Sequence, residues 1–132
     1  MIQSRRYFLG LGLAVLPMLA GRAFAAPVQI SPEKVQELQA AGKSVFVDFK
    51  ADWCSTCKAQ EKVINAILAD DPALEQSIVF VQIDWDVYGE DAFTKGLKIP
   101  RRSTLVKFNG MIEAGRLVAQ TDRAQIEALI RA

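Results

Sequence analysis

The residues best suited to chemistry in this sequence are its only two cysteines, Cys54 and Cys57, in the stretch ADWCSTCKAQ. Side chains three residues apart share one face of a helix, at a separation that a disulfide can close. An apolar run ends just before the pair and a helical pattern follows it. Because a helix N-terminus favours the reactive thiolate, we assign Cys54 as the nucleophile and Cys57 as the thiol that resolves a mixed disulfide.

Other interpretations of the cysteine pair are a structural disulfide and a metal site. A structural bridge over so short a ring removes little entropy from the unfolded chain. A zinc site normally needs four cysteine or histidine ligands, and this chain has two cysteines and no histidine. Copper held by two thiolates remains a rival interpretation. The sequence favours a redox-active pair and predicts no resident metal or cofactor.

The spacing of apolar residues and turn formers predicts the elements that position this pair. In chain order they are a helix from Pro32 capped by Ser31 and ended by Gly42, a strand over 44–49, a helix from Cys57 to about Asp70, a strand over 78–83, a short helix over 90–95, strands over 104–108 and 111–118, and a last helix begun by Asp122 and Gln125.

The order of these elements predicts an α/β fold. A strand, a helix and a second strand form a parallel pair with a crossover connection. Asn109–Gly110 between two later strands predicts a hairpin with a type I′ turn, which adds antiparallel strands. We therefore expect a mixed central sheet with helices on both faces.

Residues 1–25 have the pattern of an export signal, and residues 26–132 are predicted to form one domain. The basic pair Arg5–Arg6 precedes an apolar stretch that is too short to span a bilayer, and Ala23-Phe24-Ala25 fits a cleavage site near Ala25. The arginines favour the twin-arginine export route. A general secretory signal and an uncleaved membrane helix are the alternatives. We expect a periplasmic protein that is not inserted in the membrane after cleavage.

The charge balance excludes two classes of partner. The chain has 16 basic and 15 acidic residues, and the predicted signal holds three of the basic ones and no acidic one. The remaining 13 basic and 15 acidic residues are too evenly balanced to indicate nucleic acid or a membrane surface as a partner. We expect a monomer.

The segment 47–58, VDFKADWCSTCK, resembles the active-site segment of thioredoxin, which reads V-D-F-W-A-x-W-C-G-P-C-K. It is still more similar to the C-terminal thioredoxin-like domain of the bacterial transmembrane thiol–disulfide interchange protein, which brings electrons from the cytoplasm to the periplasm. The resemblance implies a thioredoxin-like fold from Val45 to the C-terminus. It also implies a thiol–disulfide oxidoreductase whose partners are disulfide-containing periplasmic proteins and a membrane electron donor.

The resemblance assigns roles to further residues. Asp48 matches a buried aspartate that takes the proton of Cys57, the alternative being an inert, hydrogen-bonded carboxyl. Trp53 would shield the pair and offer a docking surface, or serve only in core packing. Pro100 matches a cis-proline beside the disulfide, and Ile99 before it would pair with the substrate backbone.

Lys58, which ends the matching segment, agrees with the thioredoxin pattern and is a candidate modulator of the pair. Three departures from the pattern stand near the cysteines. Ser55 and Thr56 replace Gly-Pro, and their hydroxyls could hydrogen-bond the thiolate and raise the reduction potential. Lys50 replaces a tryptophan. The segment 100–104 is longer than the thioredoxin connection, which runs from the proline straight into a threonine and a strand.

The longer segment contains Arg101 and Arg102. They could stabilise the thiolate or select an acidic partner, or they are solvated loop charges. The leading hypothesis is a reductase that acts through Cys54 and Cys57. The alternatives are an oxidase or isomerase with the same residues, and a copper-handling or docking module without enzymatic activity.

Overall fold

The computed structural model describes residues 27–132, in which a mixed five-stranded sheet is covered by helices on both faces. The predicted export signal, residues 1–25, lies outside the described residues. The strands lie in the sheet in the order β1-β3-β2-β4-β5, and their bounds are β1 Val28–Gln29, β2 Ser44–Lys50, β3 Ile78–Asp84, β4 Thr104–Asn109 and β5 Ile112–Val118.

Six helices connect or flank these strands, and three of them are only about one turn long. Their bounds are α1 Pro32–Ala40, α2 Ser55–Asp70, α3 Leu74–Ser77, α4 Trp85–Tyr88, α5 Ala92–Gly96 and α6 Arg123–Ile130. The predicted fold class and its main helices and strands are confirmed. The sequence did not predict β1, α3 or α4, because each is too short to show a hydrophobic period.

The central strand β2 brings distant parts of the chain together. It pairs in parallel with β3, where Asp48 lies opposite Gln82, and antiparallel with β4, where Phe49 lies opposite Thr104. Because β4 runs in the opposite direction, its first residue lies beside the end of β2, and α2 begins only a few residues later. The end of β2, the start of α2 and the start of β4 therefore meet at one edge of the sheet.

Two apolar cores lie on opposite faces of the sheet, since successive side chains of a strand point to opposite faces. Val45, Val47 and Phe49 face the core that includes α1. Phe46 faces the core formed with α2 and α6. Asp48 has the same parity as Phe46, so its carboxyl is directed into the α2 face.

The hairpin turn differs from its predicted type. Asn109 pairs with Ile112, so Gly110 and Met111 are the two central residues of the turn. Only Gly110 has a positive φ, of 60°, as the first position of a type II′ turn requires. The prediction of a type I′ turn centred on Asn109–Gly110 is wrong by one residue, because strand pairing of Asn109 takes precedence over its turn preference.

No helix between residues 27 and 132 is long and apolar enough to cross a membrane.

A buried lysine anchors the last helix to the sheet. The Lys107 ammonium donates to the carbonyl of Ile130 at 2.6 Å and to that of Ala132 at 2.9 Å. The last carbonyls of a helix have no partner within the helix, so this ammonium satisfies the Ile130 carbonyl at the end of α6. Burial lowers the pKa of Lys107.

We predict that Lys107→Met destabilises the protein by about 1–3 kcal/mol, because it leaves a buried carbonyl of α6 without its donor. Urea unfolding at neutral pH measures the change. The control is Lys95→Met, at an exposed lysine that pairs with Glu90, where we expect a change within about 0.5 kcal/mol. A Lys107→Met variant as stable as the parent would mean that the cost of burying the ammonium cancels its hydrogen bonds.

Candidate active site

Cys54 is the N-cap of α2. Its backbone is extended, with φ −88° and ψ 112°, and its sulfur accepts the backbone N–H of Cys57 at 3.2 Å. A side chain at an N-cap normally supplies an oxygen for this bond, and here a thiol takes its place. Because Cys54 caps the helix, α2 begins at Ser55, two residues before the predicted start. The partial positive charge of the helix end is thus directed at the Cys54 sulfur.

A serine from a distant part of the chain contacts both sulfurs. The Ser103 hydroxyl oxygen lies 3.1 Å from the Cys54 sulfur and 3.1 Å from the Cys57 sulfur, and both cysteines are free thiols. Ser103 is fully buried. The end of β2 and the start of β4 are adjacent, which places this hydroxyl at the N-terminus of α2.

The backbone of Ser103 has a φ of 65°, which is unusual for a residue with a Cβ. Both backbone polar groups of this residue are hydrogen-bonded. Its N–H donates to the carbonyl of Phe49 at 2.7 Å, and its carbonyl accepts the N–H of Ala119 at 2.8 Å. The Gln60 side-chain amide donates to the same carbonyl at 3.0 Å and to the carbonyl of Gln120 at 3.0 Å. Gln60 is fully buried in α2, so the serine is held from three sides.

The two thiols differ in acidity rather than in exposure, since both are buried. Burial works to raise the pKa of Cys54, but hydrogen bonds from Cys57 and Ser103 outweigh it and lower that pKa to about 7. The nearby Arg102 guanidinium adds to the lowering of this pKa. Burial and the hydrogen bond to Cys54 raise the pKa of Cys57. This order fits Cys54 as the nucleophile and Cys57 as the second thiol.

Asp48 lies buried below the thiols. Burial raises the pKa of its carboxyl to about 7 although the nearby Lys50 ammonium works to lower it. The charges of Glu61 and Cys54 raise it further. The Asp48 Oδ1 atom has no hydrogen-bond partner in the described part of the chain, and no hydrogen bond there joins the carboxyl to either sulfur. Asp48 therefore acts on the thiols through charge.

The Lys50 ammonium acts on the Asp48 carboxyl through its charge and also pairs with two other carboxylates. Its ammonium lies 3.5 Å from Asp52 Oδ1 and 3.5 Å from Glu61 Oε2. Burial works to lower the pKa of Lys50, but Glu61 and Asp52 outweigh it and raise that pKa. The residue that replaces a tryptophan of the thioredoxin pattern thus brings a positive charge close to Asp48. Glu61 was not identified from the sequence.

Trp53 is exposed beside the pair and fixed in position. Its indole N–H donates to the two carboxylate oxygens of Asp86 at 3.1 and 2.9 Å, and 59% of the residue remains accessible. The guanidinium carbon of Arg102 lies 4.2 Å from the ring centroid, in a cation–π contact. Core packing was the alternative interpretation of Trp53, and its exposure does not fit that alternative.

The predicted cis-proline is wrong. The described residues contain no cis peptide bond, so the Ile99–Pro100 bond is trans. Ile99 is buried in the core that includes α1, and Pro100 is exposed. Ser103, followed by Thr104 and a strand, occupies the place where the thioredoxin pattern has its proline. Counting back from the threonine that begins β4, rather than forward to the proline in the sequence, would have identified it.

The other predicted modulators lie around the pair without contacting its sulfurs. Ser55 is exposed and Thr56 half-buried, and neither hydroxyl hydrogen-bonds Cys54 within residues 27–132. Lys58 is exposed. The Arg101 Nε donates to the carbonyl of Arg102 at 3.1 Å, so this arginine shapes the loop. The hydroxyl that reaches the thiols thus comes from Ser103, in the loop before β4, and not from the residues between the cysteines.

The described residues bring together no group of three or more histidine, cysteine, aspartate or glutamate side chains that could hold a metal ion. The site therefore offers a metal only the two thiols of Cys54 and Cys57, with the Ser103 hydroxyl beside them. The arrangement provides an acidic thiol in Cys54, a less acidic thiol in Cys57 and a buried carboxyl. These are groups suited to thiol–disulfide exchange.

Comparison with known proteins agrees with this geometry. The profile of the family described as Thioredoxin-like matches residues 26–104, which include both cysteines and Ser103. No curated protein matches the sequence.

Solved thioredoxin structures are similar to this chain over most of its length. Trxlp from Edwardsiella tarda is 25% identical with a TM-score of 0.65, and the match covers 77% of this chain and 97% of that protein. A thioredoxin from Malassezia sympodialis is 26% identical with a TM-score of 0.65, over 80% of this chain and 91% of the other. Mitochondrial thioredoxin 3 from Saccharomyces cerevisiae has the same fold at 18% identity and a TM-score of 0.65, over 82% and 96% of the two chains.

The raised pKa of Asp48 predicts a stability that falls with pH. Below about pH 4 the carboxyl is protonated in the folded and the unfolded chain alike. Between about pH 4 and pH 7 the unfolded chain releases this proton while the folded chain retains it, so the free energy of unfolding falls. A difference of about three pKa units corresponds to a loss on the order of 4 kcal/mol at pH 8.

We predict that Asp48→Asn removes most of this loss, so the reduced variant is more stable than the parent at pH 8 and similar to it at pH 4. Urea unfolding at the two pH values under reducing conditions measures the difference. Glu33→Gln, at an exposed carboxyl of α1, is the matched control and should preserve the parent's pH dependence. An unchanged pH dependence in Asp48→Asn would contradict the raised pKa.

Proposed function

The chain belongs to the thioredoxin-like family, and on that basis we propose that it is an exported thiol–disulfide oxidoreductase that reduces disulfides of partner proteins. The observation that carries the proposal is the Cys54 thiol at the N-terminus of α2, with a pKa lowered to about 7 and a second thiol beside it. A thiol of this kind is substantially ionised at neutral pH, and the thiolate is the nucleophile of disulfide exchange.

The reaction has two exchanges. The Cys54 thiolate attacks one sulfur of the partner disulfide, forming a mixed disulfide and releasing the other partner sulfur as a thiolate. Cys57 then loses its proton and attacks the Cys54 sulfur, which releases the second partner thiolate. Both released thiolates take up protons, so the partner gains two electrons and two protons while Cys54 and Cys57 become a disulfide.

The proton of Cys57 needs an acceptor during the second exchange. Asp48 is suited to this role because its pKa of about 7 lets it take up a proton at neutral pH. The Asp48 carboxyl hydrogen-bonds neither sulfur, so the proton does not pass from the Cys57 thiol to the carboxyl through a direct hydrogen bond. The charge on Asp48 also falls as it accepts the proton, which favours formation of the Cys57 thiolate.

Partner proteins would dock on the surface formed by Trp53, Arg102 and Asp86 beside the pair. The tryptophan is exposed but held by hydrogen bonds to Asp86, so docking on it costs little side-chain entropy. Arg102, which contacts the Trp53 ring and contributes to lowering the Cys54 pKa, gives this surface a positive charge. We therefore propose partners that carry an acidic residue near their disulfide.

The export part of the proposal rests on residues 1–25, with the basic pair Arg5–Arg6 and the Ala23-Phe24-Ala25 cleavage pattern. A reductase in the oxidising periplasm needs a supply of electrons, so we propose a membrane protein as its donor. The similarity of segment 47–58 to the domain of the transmembrane interchange protein supports electron flow from a membrane donor to this chain.

An oxidase or isomerase is the second candidate, because the Ser103 hydroxyl and the nearby Arg102 guanidinium favour the Cys54 thiolate. Stabilising the reduced form of a dithiol raises its reduction potential and makes its disulfide a stronger oxidant. The same residues would then run the exchange in reverse, with the disulfide of Cys54 and Cys57 accepting electrons from partner thiols.

We predict that Cys54→Ser abolishes turnover of a protein disulfide, because no thiolate remains to attack it. Cys57→Ser should instead accumulate a mixed disulfide with the partner, visible by non-reducing electrophoresis and removed by a small thiol. Ser55→Ala, beside the nucleophile but without contact to its sulfur, is the control and should keep the parent's rate. Full activity in Cys54→Ser would exclude this mechanism.

The reduction potential of the Cys54–Cys57 pair decides the direction. We predict a value near that of thioredoxin, about −270 mV, measured by equilibrating residues 26–132 with a dithiol couple of known potential. A value near about −120 mV would identify an oxidant and overturn the reductase assignment while leaving thiol–disulfide exchange intact.

A further inference from the structure

We propose that Ser103 is a catalytic residue of the exchange, whose hydroxyl donates its hydrogen bond to the Cys54 thiolate before attack and turns to Cys57 when that sulfur ionises. The inference rests on the proposed thiol–disulfide exchange, and it concerns a residue outside the Cys-x-x-Cys segment. The geometry points to it because the Ser103 oxygen is 3.1 Å from each of the two sulfurs.

A serine hydroxyl has one proton to donate and two lone pairs to accept with. It can therefore donate to only one sulfur at a time while the other sulfur donates to it. In the reduced site the hydroxyl donates its hydrogen bond to the Cys54 thiolate, and the protonated Cys57 lies within hydrogen-bond distance of the same oxygen. The hydroxyl then stabilises the charge on Cys54, while burial and the hydrogen bond to Cys54 keep the pKa of Cys57 raised.

Formation of the mixed disulfide reverses this requirement. The Cys54 sulfur loses its charge when it bonds to the partner sulfur, so it no longer attracts the hydroxyl proton. Cys57 must now lose its own proton in order to attack. Rotation of the Ser103 hydroxyl by one torsion directs its proton to the forming Cys57 thiolate. The serine keeps its own proton throughout, so no additional reactant is needed and the electron balance of the exchange is unchanged.

The backbone around Ser103 is built to hold this hydroxyl in place. A φ of 65° is strained for serine, and such strain persists only where the surroundings enforce it. The bonds to Phe49 and Ala119 enforce it from the sheet, and the Gln60 amide enforces it from α2. Gln60 thus acts through Ser103 and is a positioning residue.

The buried position of Gln60 supports this role. It lies one turn after Cys57 and is completely buried, and its amide bridges the carbonyls of Ser103 and Gln120. Burying a polar amide is costly without hydrogen bonds, and here the donor atoms serve the loop that bears the serine. The helix that presents both thiols therefore also fixes the hydroxyl that contacts them.

The test is the pKa of Cys54, measured as the pH dependence of its alkylation rate in otherwise intact protein, with the modified residue identified by mass spectrometry. This readout needs no partner protein and does not depend on the direction of electron flow. Removal of a hydrogen bond to a charged group should raise the Cys54 pKa by about one unit or more.

Ser103→Ala and Ser103→Gly form a matched pair. Both remove the hydroxyl, so both should raise the Cys54 pKa by the same amount and shift the reduction potential to a more negative value. Their stabilities should differ, because glycine relieves the positive φ and alanine does not. Equal pKa shifts with different thermal midpoints would assign the effect to the hydroxyl rather than to the backbone.

Gln60→Met and Gln39→Met form the second pair. Both remove a buried glutamine amide, but only Gln60 contacts Ser103. We expect a raised Cys54 pKa in Gln60→Met and the parent's value in Gln39→Met. A Cys54 pKa equal to the parent's in folded Ser103→Gly would overturn the proposal. That result would leave exchange through Cys54 and Cys57 untouched. A parent protein that reduces no partner disulfide, together with the predicted pKa shifts in the variants, would contradict only the proposed function.

Discussion

The short hydrogen bond from the Ser103 N–H to the Phe49 carbonyl, 2.7 Å long, is the interaction on which the site depends. It extends the pairing of β2 and β4 by one residue beyond the strands and fixes the loop before β4 against the end of β2. Cys54 follows β2 by only four residues, and the parallel connection through α2 leaves at the same point. A shift of this one contact would move the serine hydroxyl away from both sulfurs, even with the cysteines unchanged.

The electrostatics of the site follow from burial at that edge. Cys54 and Asp48 both have a pKa of about 7, and the charge on the Cys54 thiolate raises the pKa of Asp48. Groups that interact in this way titrate as a unit, so near neutral pH the site favours one negative charge over two. Lys50 supplies the compensating positive charge, but Glu61 and Asp52 share it at 3.5 Å. Lys50 therefore moderates the negative charge of the site without neutralising it.

Much of this arrangement is readable from the sequence, because its causes are local. The apolar run before Cys54, the spacing of the cysteines and the helical pattern after them place the pair at a strand–helix junction. Asp48 is identified by the resemblance to thioredoxin, and its position inside an apolar strand indicates that it is buried. These features depend on periodicity and on residue type, which a single sequence shows directly.

The features that the sequence did not show depend on contacts between distant segments. Pro100 fits the proline of the thioredoxin pattern by residue type, but strand pairing places Ser103 at that point and leaves the proline exposed. The indole of Trp53 is held by Asp86, thirty-three residues away. The Asn109–Gly110 turn was placed one residue early because strand pairing, not turn propensity, sets its position. In each case the register of the sheet decides which residues meet.

Two sets of groups act in opposite directions on the same sulfur, and their balance sets the direction of electron flow. The N–H of Cys57, the Ser103 hydroxyl and Arg102 stabilise the Cys54 thiolate and so favour the reduced protein. Burial and the charge of Asp48 disfavour the thiolate and so favour the disulfide. A serine in place of a proline adds to the first set a donor that a proline lacks, because proline has neither a hydroxyl nor an N–H. In this chain the residue before β4 therefore tunes the redox chemistry directly, in addition to shaping the loop.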